Sequence, residues 1–261
     1  MLKATGIAVD LAGKPVLQGV DFAAEPGAIT AIVGPNGSGK TTLLRAMTQE
    51  VPYHGRILLQ GEDIATTPGW QLAARRAVLP QASRIAFPFT VLEVVRLGMM
   101  ASAHAPPEGR AAAALDRVGL TGFEGRFYHE LSGGEQQRVQ LARVLSQVWE
   151  PTGPDGARWL FLDEPVSSLD IGHQLEVMTL LQDYAQGGGG VVAVMHDLNL
   201  TAMFARSIAV LSQGQVVAQG SPGEVFSDAL LSRAYACRLR VSAVPRDGVP
   251  FILPQLAAPS T

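Results

Sequence analysis

The chain has 261 residues, of which 47% are hydrophobic and 16% charged, with a formal net charge of −3. That length can bury a core in one large domain or two modest ones, which excludes the small disulfide- or metal-stapled classes. The charged share lies well below the usual ~25%, leaving uncharged surface for partners, and the slightly acidic balance offers no basic field for a nucleic-acid backbone, so no nucleic-acid partner is expected.

Short extended runs broken at Gly13-Lys14-Pro15 and Glu25-Pro26-Gly27 predict a β-rich opening that ends in a buried strand over 28–33. From 39 to about 49, Leu43, Leu44 and Met47 recur on one helical face, so the local order is strand, glycine loop, helix. A strand over 56–59 follows, then a stretch over 72–79 that turns extended before Pro80-Gln81. Thr90 and Glu93 have the spacing of a capping box at a helix start. Pro106-Pro107-Glu108-Gly109 breaks the chain before a helix over 111–118, stopped at Gly119. Beyond Ser132, apolar residues at 141, 144, 145 and 148 keep helical spacing until a loop over 151–156. A buried strand over 159–162, a helix over about 174–185, four glycines, a strand over 191–195 and a helix over 198–205 give the alternation of a parallel sheet. A closing hairpin over 208–211 and 216–218 precedes a Pro-punctuated arm from 241 onward. No repeat of 20–50 residues is present, which excludes a solenoid.

Cys237 is the only cysteine, which excludes an intrachain disulfide and a thiolate-built metal site and fits the cytosol. No apolar run approaches the ~18 residues of a membrane span, and Asp10 interrupts the weakly apolar start, so no signal peptide is expected.

Gly34, Pro35, Asn36, Gly37, Ser38, Gly39, Lys40 and Thr41 fit G-x-x-x-x-G-K-[ST] between a buried strand and a helix. Glycines there let backbone N–H groups turn inward around a phosphate, the helix N-terminus adds partial positive charge, Lys40 reaches the β- and γ-phosphates and Thr41 serves Mg²⁺. An apolar strand ending in Asp163-Glu164 supplies the acids such a nucleotide needs, Asp163 for the metal and Glu164 to polarise an attacking water. In Leu131-Ser132-Gly133-Gly134-Glu135 a capping box accounts for Ser132 and Glu135. It leaves Gly133 and Gly134 unexplained, since each costs ~1 kcal/mol in a helix relative to Ala. Close approach of backbone to a ligand would explain them, making this helix start a second anion site.

The set resembles the nucleotide-binding subunit of ATP-binding-cassette (ABC) transporters. Gly34 to Thr41 match the Walker A motif, Gln81 the Q-loop, Leu131 to Glu135 the signature, Asp163 and Glu164 the end of Walker B, Ser168-Leu169-Asp170 the D-loop and His196 the H-loop, in the family's order along nearly the whole chain. The resemblance implies an α/β P-loop NTPase fold of the ABC ATPase type. It has a β-rich N-terminal subdomain, a RecA-like parallel-sheet core and an α-helical signature subdomain at about 82–147, within a domain over 1–240 and followed by an extension over 241–261. It implies ATP and Mg²⁺ as cofactors, with the metal near Thr41, Gln81 and Asp163. Glu164, His196 and Gln81 are implied at the catalytic centre, and Thr42 joins the nucleotide contacts. A head-to-tail homodimer is implied, in which Leu131, Ser132, Gly133, Gly134 and Glu135 act on the twin's ATP and Asp170 lines the seam. Two transmembrane permease subunits and, indirectly, a periplasmic binding protein complete the assembly, at the cytoplasmic face of the bacterial inner membrane. One departure is Leu11, which stands where the family often places an aromatic against adenine; another is Val166, where a threonine is usual.

Within the family, the strings over 76–81, 86–95, 149–159, 188–200 and 248–251 resemble the ATPases of bacterial hemin importers. Siderophore and cobalamin importers are the nearby alternatives. Repair ATPases insert a long coiled coil, whereas only the interval from Gln81 to Leu131 is available here, and translation factors carry two cassettes in tandem. Soluble assembly ATPases share the fold. The stretch from Arg84 to Gly98, with Phe87 and Phe89, is the expected docking groove for a permease helix. His54, His104, His129 and His173 are scattered, so no heme site is expected in this chain.

Overall fold

A computed structural model describes residues 1–81, 85, 87–100, 107–245, 248 and 250–257. β1 (Leu2–Leu11) and β2 (Lys14–Ala24) pair antiparallel across Ala12-Gly13, both left-handed at φ 49° and 76°, the conformation a tight hairpin turn needs. β3 (Ala28–Val33) is buried throughout and feeds α1 (Lys40–Met47). β4 (His54–Leu59) and β5 (Glu62–Asp63) complete an antiparallel sheet in the order β2-β1-β4-β5. α2 (Gly69–Arg75) leads into β6 (Arg76–Leu79), so the stretch over 72–79 divides into the end of a helix and a strand.

Helices α3 (Val91–Met99), α4 (Arg110–Arg117) and α5 (Gly133–Gln147) follow, the first and last opened by the capping boxes Thr90/Glu93 and Ser132/Glu135. The expected loop over 151–156 instead closes as a small hairpin of β7 (Thr152–Gly153) and β8 (Gly156–Ala157), tied down where Gln60 Nε2 donates to Ala157 O at 2.9 Å. β9 (Trp159–Asp163), α6 (Ile171–Gln186), β10 (Gly190–Val194), α7 (Leu198–Phe204), β11 (Ser207–Ser212) and β12 (Gln215–Gly220) finish the larger sheet. Gly189 and Gly190 explain the end of the glycine run, because a Cβ there would overlap the rings of Tyr184 and Trp159. α8 (Pro222–Val225) and α9 (Asp228–Tyr235) lie between the closing hairpin and the arm. Within the arm a 3₁₀ turn at Pro254–Leu256 packs on α7, where Gln255 Nε2 donates to Asn199 O at 3.4 Å.

The larger sheet has the order β12-β11-β3-β10-β9-β6, all neighbours parallel except β12. Central parallel strands are covered on both faces, which is why β3, β9 and β10 read as unbroken apolar runs. Alternate residues serve opposite faces: Ile29, Ala31, Leu160, Leu162, Val191 and Ala193 pack toward α3 to α6. Ile32, Phe161, Val192 and Val194 pack toward α1 and the antiparallel sheet. Arg76, at the start of β6, crosses to α1 and donates to Met47 O (3.0 Å) and Thr48 O (2.8 Å), satisfying carbonyls at that helix's end. Burial pulls its guanidinium down to about 10, still cationic at neutral pH. Among the described residues no helix is long and apolar enough to cross a membrane. Arg84, His104, Pro106 and part of the 82–147 and 241–261 segments lie outside the described residues.

Candidate functional site

The edge of the sheet where parallel strands end is where ligands gather in open α/β folds. Here β3 ends at Val33 and the loop from Gly34 to Gly39 turns into α1. Gly39 occupies the N-cap at φ 103° with no side-chain cap, so the first-turn N–H groups of α1 stay available to a ligand. A Cβ on Gly34 would overlap the carbonyl of Leu211. The Lys40 ammonium is held inside the loop, donating to Gly34 O at 2.9 Å and Pro35 O at 3.0 Å. Burial pushes its pKa down, while Glu164 and Asp163 push it back up. Ser38 Oγ is buried without a protein partner. A concave loop with unused N–H donors, a buried cation and an orphaned hydroxyl fits a polyphosphate.

β9 brings the acids to the same edge. Thr41 Oγ1 donates to Asp163 Oδ1 at 3.2 Å. Burial raises the Asp163 carboxyl above its ordinary pKa, against the lowering effect of that hydrogen bond. Glu164 follows in the left-handed region at φ 55°, its N–H donating to Val194 O at 3.1 Å across to β10. The turn aims its carboxylate at two other loops: Oε1 accepts from Gln81 Nε2 at 2.9 Å and lies 2.6 Å from His196 Nε2. Gln81, Glu164 and His196 thus line one cleft with Asn36, Gly37, Gly39, Lys40, Thr41 and Thr42. Val16 of β2 also lines it, an apolar residue that no sequence motif singles out.

A hydroxyl and a carboxylate 3.2 Å apart beside an anion loop are hard oxygen donors of the kind magnesium takes. Among the described residues no group of three or more His, Cys, Asp or Glu could hold a metal alone. A magnesium ion here would therefore complete its ligands from phosphates and water, its usual habit.

The signature and D-loop residues form a second cleft, lined by Ser132, Gly133, Gly134, Glu135, Ser168, Leu169 and Asp170, with Arg138 and His173. Ser132 Oγ accepts from Glu135 N at 3.3 Å, and Glu135 Oε2 accepts from Ser132 N at 2.7 Å and Ser132 Oγ at 2.8 Å; the two bonds to Oε2 hold the Glu135 carboxyl below its usual range. Asp170 caps α6, accepting from His173 N at 3.0 Å, and its pKa is lowered by the same partner. The two glycines have different causes. Gly133 has open space around it, whereas a Cβ on Gly134 would stand 3.0 Å from Ser168 O, so an intrachain contact explains Gly134. None of these residues lines the cleft of Lys40 and Glu164.

Between the clefts stands Gln137 of α5, whose Nε2 donates to Glu164 O at 2.7 Å while its Oε1 accepts from Ser168 N at 3.1 Å. It lies in the string Gln136-Gln137-Arg138 that continues the signature, where the sequence marks the residue but gives it no role. The expected aromatic pair divides: Phe87 is 71% exposed, while Phe89 packs partly buried on the core. His54 and His129 are exposed and apart, His173 serves Asp170, and His104 lies outside the described residues.

Residues 17–167 match the family described as ABC transporter. The chain is 63% identical over 257 residues to the hemin import ATP-binding protein HmuV of Jannaschia sp. (strain CCS1), covering 98% of this chain and 95% of that protein. It is 55% identical over 260 residues to the protein of the same name from Rhizobium meliloti (strain 1021), covering 98% and 99%. Among solved structures, the ADP conformation of an ATP-binding cassette of an ABC transporter aligns with a TM-score of 0.76 at 23% identity, covering 90% of this chain and 98% of that one, and speaks to the fold. Clostridium perfringens cbiO1, part of the ABC transporter complex cbiONQ, aligns with a TM-score of 0.70 at 28% identity over 89% and 92%. The strand-loop-helix at Lys40, the acids at the end of β9 and these matches together show that the chain belongs to the ABC transporter family, as an ATP-binding subunit.

Proposed function

We propose that this chain hydrolyses ATP to energise hemin import through a membrane permease. The cargo rests on the 63% identity, over 98% of the chain, to a hemin import ATP-binding protein. The chemistry rests on the Glu164 carboxylate, gathered with Gln81 and His196 beside the phosphate loop.

In this reading the loop N–H groups and Lys40 bind the β- and γ-phosphates, and Thr42 adds a contact on α1. Thr41, Asp163 and Gln81 would hold Mg²⁺, which when bound neutralises charge on the phosphate oxygens. Glu164 orients and polarises the attacking water, and His196 donates toward the γ-phosphate. Gln81 and His196 fix where the Glu164 carboxylate points, and so where it would hold the attacking water.

The cleft of Ser132, Gly133 and Gly134 receives the γ-phosphate of a second copy, which makes the working unit a head-to-tail homodimer; its separation from Lys40 within one chain supports this. The helical subdomain at about 82–147 meets the permease. A groove with an apolar floor of Leu92, Met99, Met100, Pro107 and Ala111, rimmed by charged residues such as Arg96 and Glu124, and the separate exposure of Phe87 support that docking. The domain over 1–240 then sits peripherally at the cytoplasmic face of the inner membrane, two copies against two permease subunits, with a periplasmic hemin-binding protein delivering cargo and the extension over 241–261 following the cassette and packing back on α7 through Pro254–Leu256. Co-purification tests the assembly: a membrane-embedded permease is the expected companion, and soluble assembly factors in its place would contradict it.

A further inference from the structure

We propose that Gln137 is a positioning residue for the Glu164 carboxylate, acting through the backbone. The proposal rests on the reading of Glu164 as the water-orienting group. Glu164 holds a left-handed conformation at φ 55°, which a residue with a Cβ resists. Pro165 follows it, and a residue before proline is biased toward extended backbone. Relaxation in that direction would swing the side chain away from Gln81 and His196.

The Glu164 peptide is held against this on both sides. Its N–H is tied to Val194 O at 3.1 Å. Its carbonyl accepts from Ser167 N at 3.4 Å and Ser167 Oγ at 3.2 Å, both within the turn, and from Gln137 Nε2 at 2.7 Å, the shortest of the three and the one from outside the turn. Gln137 stands on α5, whose capping box and buried Val139, Leu141, Val144 and Leu145 make a rigid base. Its other amide atom accepts from Ser168 N, so one side chain sets the spacing between the Glu164 carbonyl and the D-loop backbone. The first turn of the same helix carries Ser132 to Glu135. Gln137 itself lines neither the phosphate cleft nor the second cleft.

The test measures ATP turnover and nucleotide binding of the full chain carrying Gln137→Leu, which removes both bonds, and Gln137→Glu, which keeps the shape and the acceptor for Ser168 N–H but loses the donor to Glu164. Both are expected to lower kcat by about tenfold or more, the scale of a small misplacement of a reacting group, with KM for ATP and the thermal midpoint of Gln137→Glu near parental. Parental kcat in the Glu variant would overturn the proposal. A fall in kcat matched by an equal rise in KM would overturn it too, because a general loss of structure would then suffice. Glu164→Gln, run in parallel, separates the two claims: if it hydrolyses ATP normally, the reading of Glu164 fails; if it is inactive while both Gln137 variants turn over normally, the Gln137 assignment alone fails.

Discussion

His196 Nε2 lies 2.6 Å from Glu164 Oε1, although 32 residues separate the two in the chain. Adjacent parallel strands produce the encounter: Val194 of β10 is in register with Asp163 of β9, so the residues just past both strand ends meet beside the phosphate loop. Gln81, from the end of β6 on the other flank of β9, reaches the same oxygen.

A carboxylate fixed by Gln81 and His196 at the mouth of a phosphate cleft is suited to act on water. Glu164→Gln keeps the side chain's size and removes its basicity. ATP turnover should fall by about 10²–10⁴-fold, the usual worth of general-base assistance, while nucleotide binding is retained and a closed dimer accumulates. Steady-state hydrolysis with gel filtration in Mg-ATP checks both parts.

Asp163 illustrates a conflict between site and fold. Burial raises its carboxyl pKa, so folding favours the neutral form. The associated stability is fully present below the unfolded-state pKa and is lost as pH rises through the folded-state pKa. Asp163→Asn keeps a neutral group at every pH and should raise the nucleotide-free melting temperature at pH values above the folded-state pKa of Asp163, while the extra stabilisation by Mg-ATP is reduced. A drop in the nucleotide-free melting temperature would count against it.

Ser132→Arg places a long cation in the second cleft and removes the N-cap acceptor of α5, a loss of roughly 1 kcal/mol in stability. Turnover should fall to near background while ATP still binds at Lys40. Fluorescent-nucleotide titration beside an ATPase assay distinguishes this from a binding defect, and unimpaired turnover would contradict a site completed by a second copy.

Arg76 supports the phosphate-loop helix from its far end. Arg76→Leu leaves the carbonyls of Met47 and Thr48 buried without these donors, which should cost about 3 kcal/mol in unfolding free energy. Urea denaturation followed by circular dichroism measures it; a loss below about 0.5 kcal/mol would mean the carbonyls find other partners.

Much of the fold is legible because covered parallel strands impose continuous apolar runs, as at β3, β9 and β10, and because the capping boxes at Thr90 and Ser132 mark helix starts. α8 is equally marked, with Ser221 and Glu224 in the same spacing and forming a capping box. The β7/β8 hairpin is not legible, since strands of two residues carry no alternation and depend on Gln60 for support. The phosphate loop and the acids can be read locally, each being a contiguous string at a strand end. The bridge from Gln137 to both Glu164 and Ser168 cannot, because although the residue continues the signature string, its partners lie 27 and 31 positions away. Gly134 is the instructive case: its lack of a side chain invites a ligand explanation, and the neighbour it accommodates is the chain's own Ser168.

The central claim is that ATP hydrolysis at Glu164 drives hemin across a membrane. ATP-dependent uptake of hemin into vesicles holding this chain and its permease, with ferric siderophore and cobalamin as competitors, tests it most directly. The account predicts uptake that requires ATP, disappears with Glu164→Gln and is unaffected by either competitor. Hemin uptake that persists with Glu164→Gln, or ATP-driven uptake of siderophore or cobalamin in place of hemin, would contradict it.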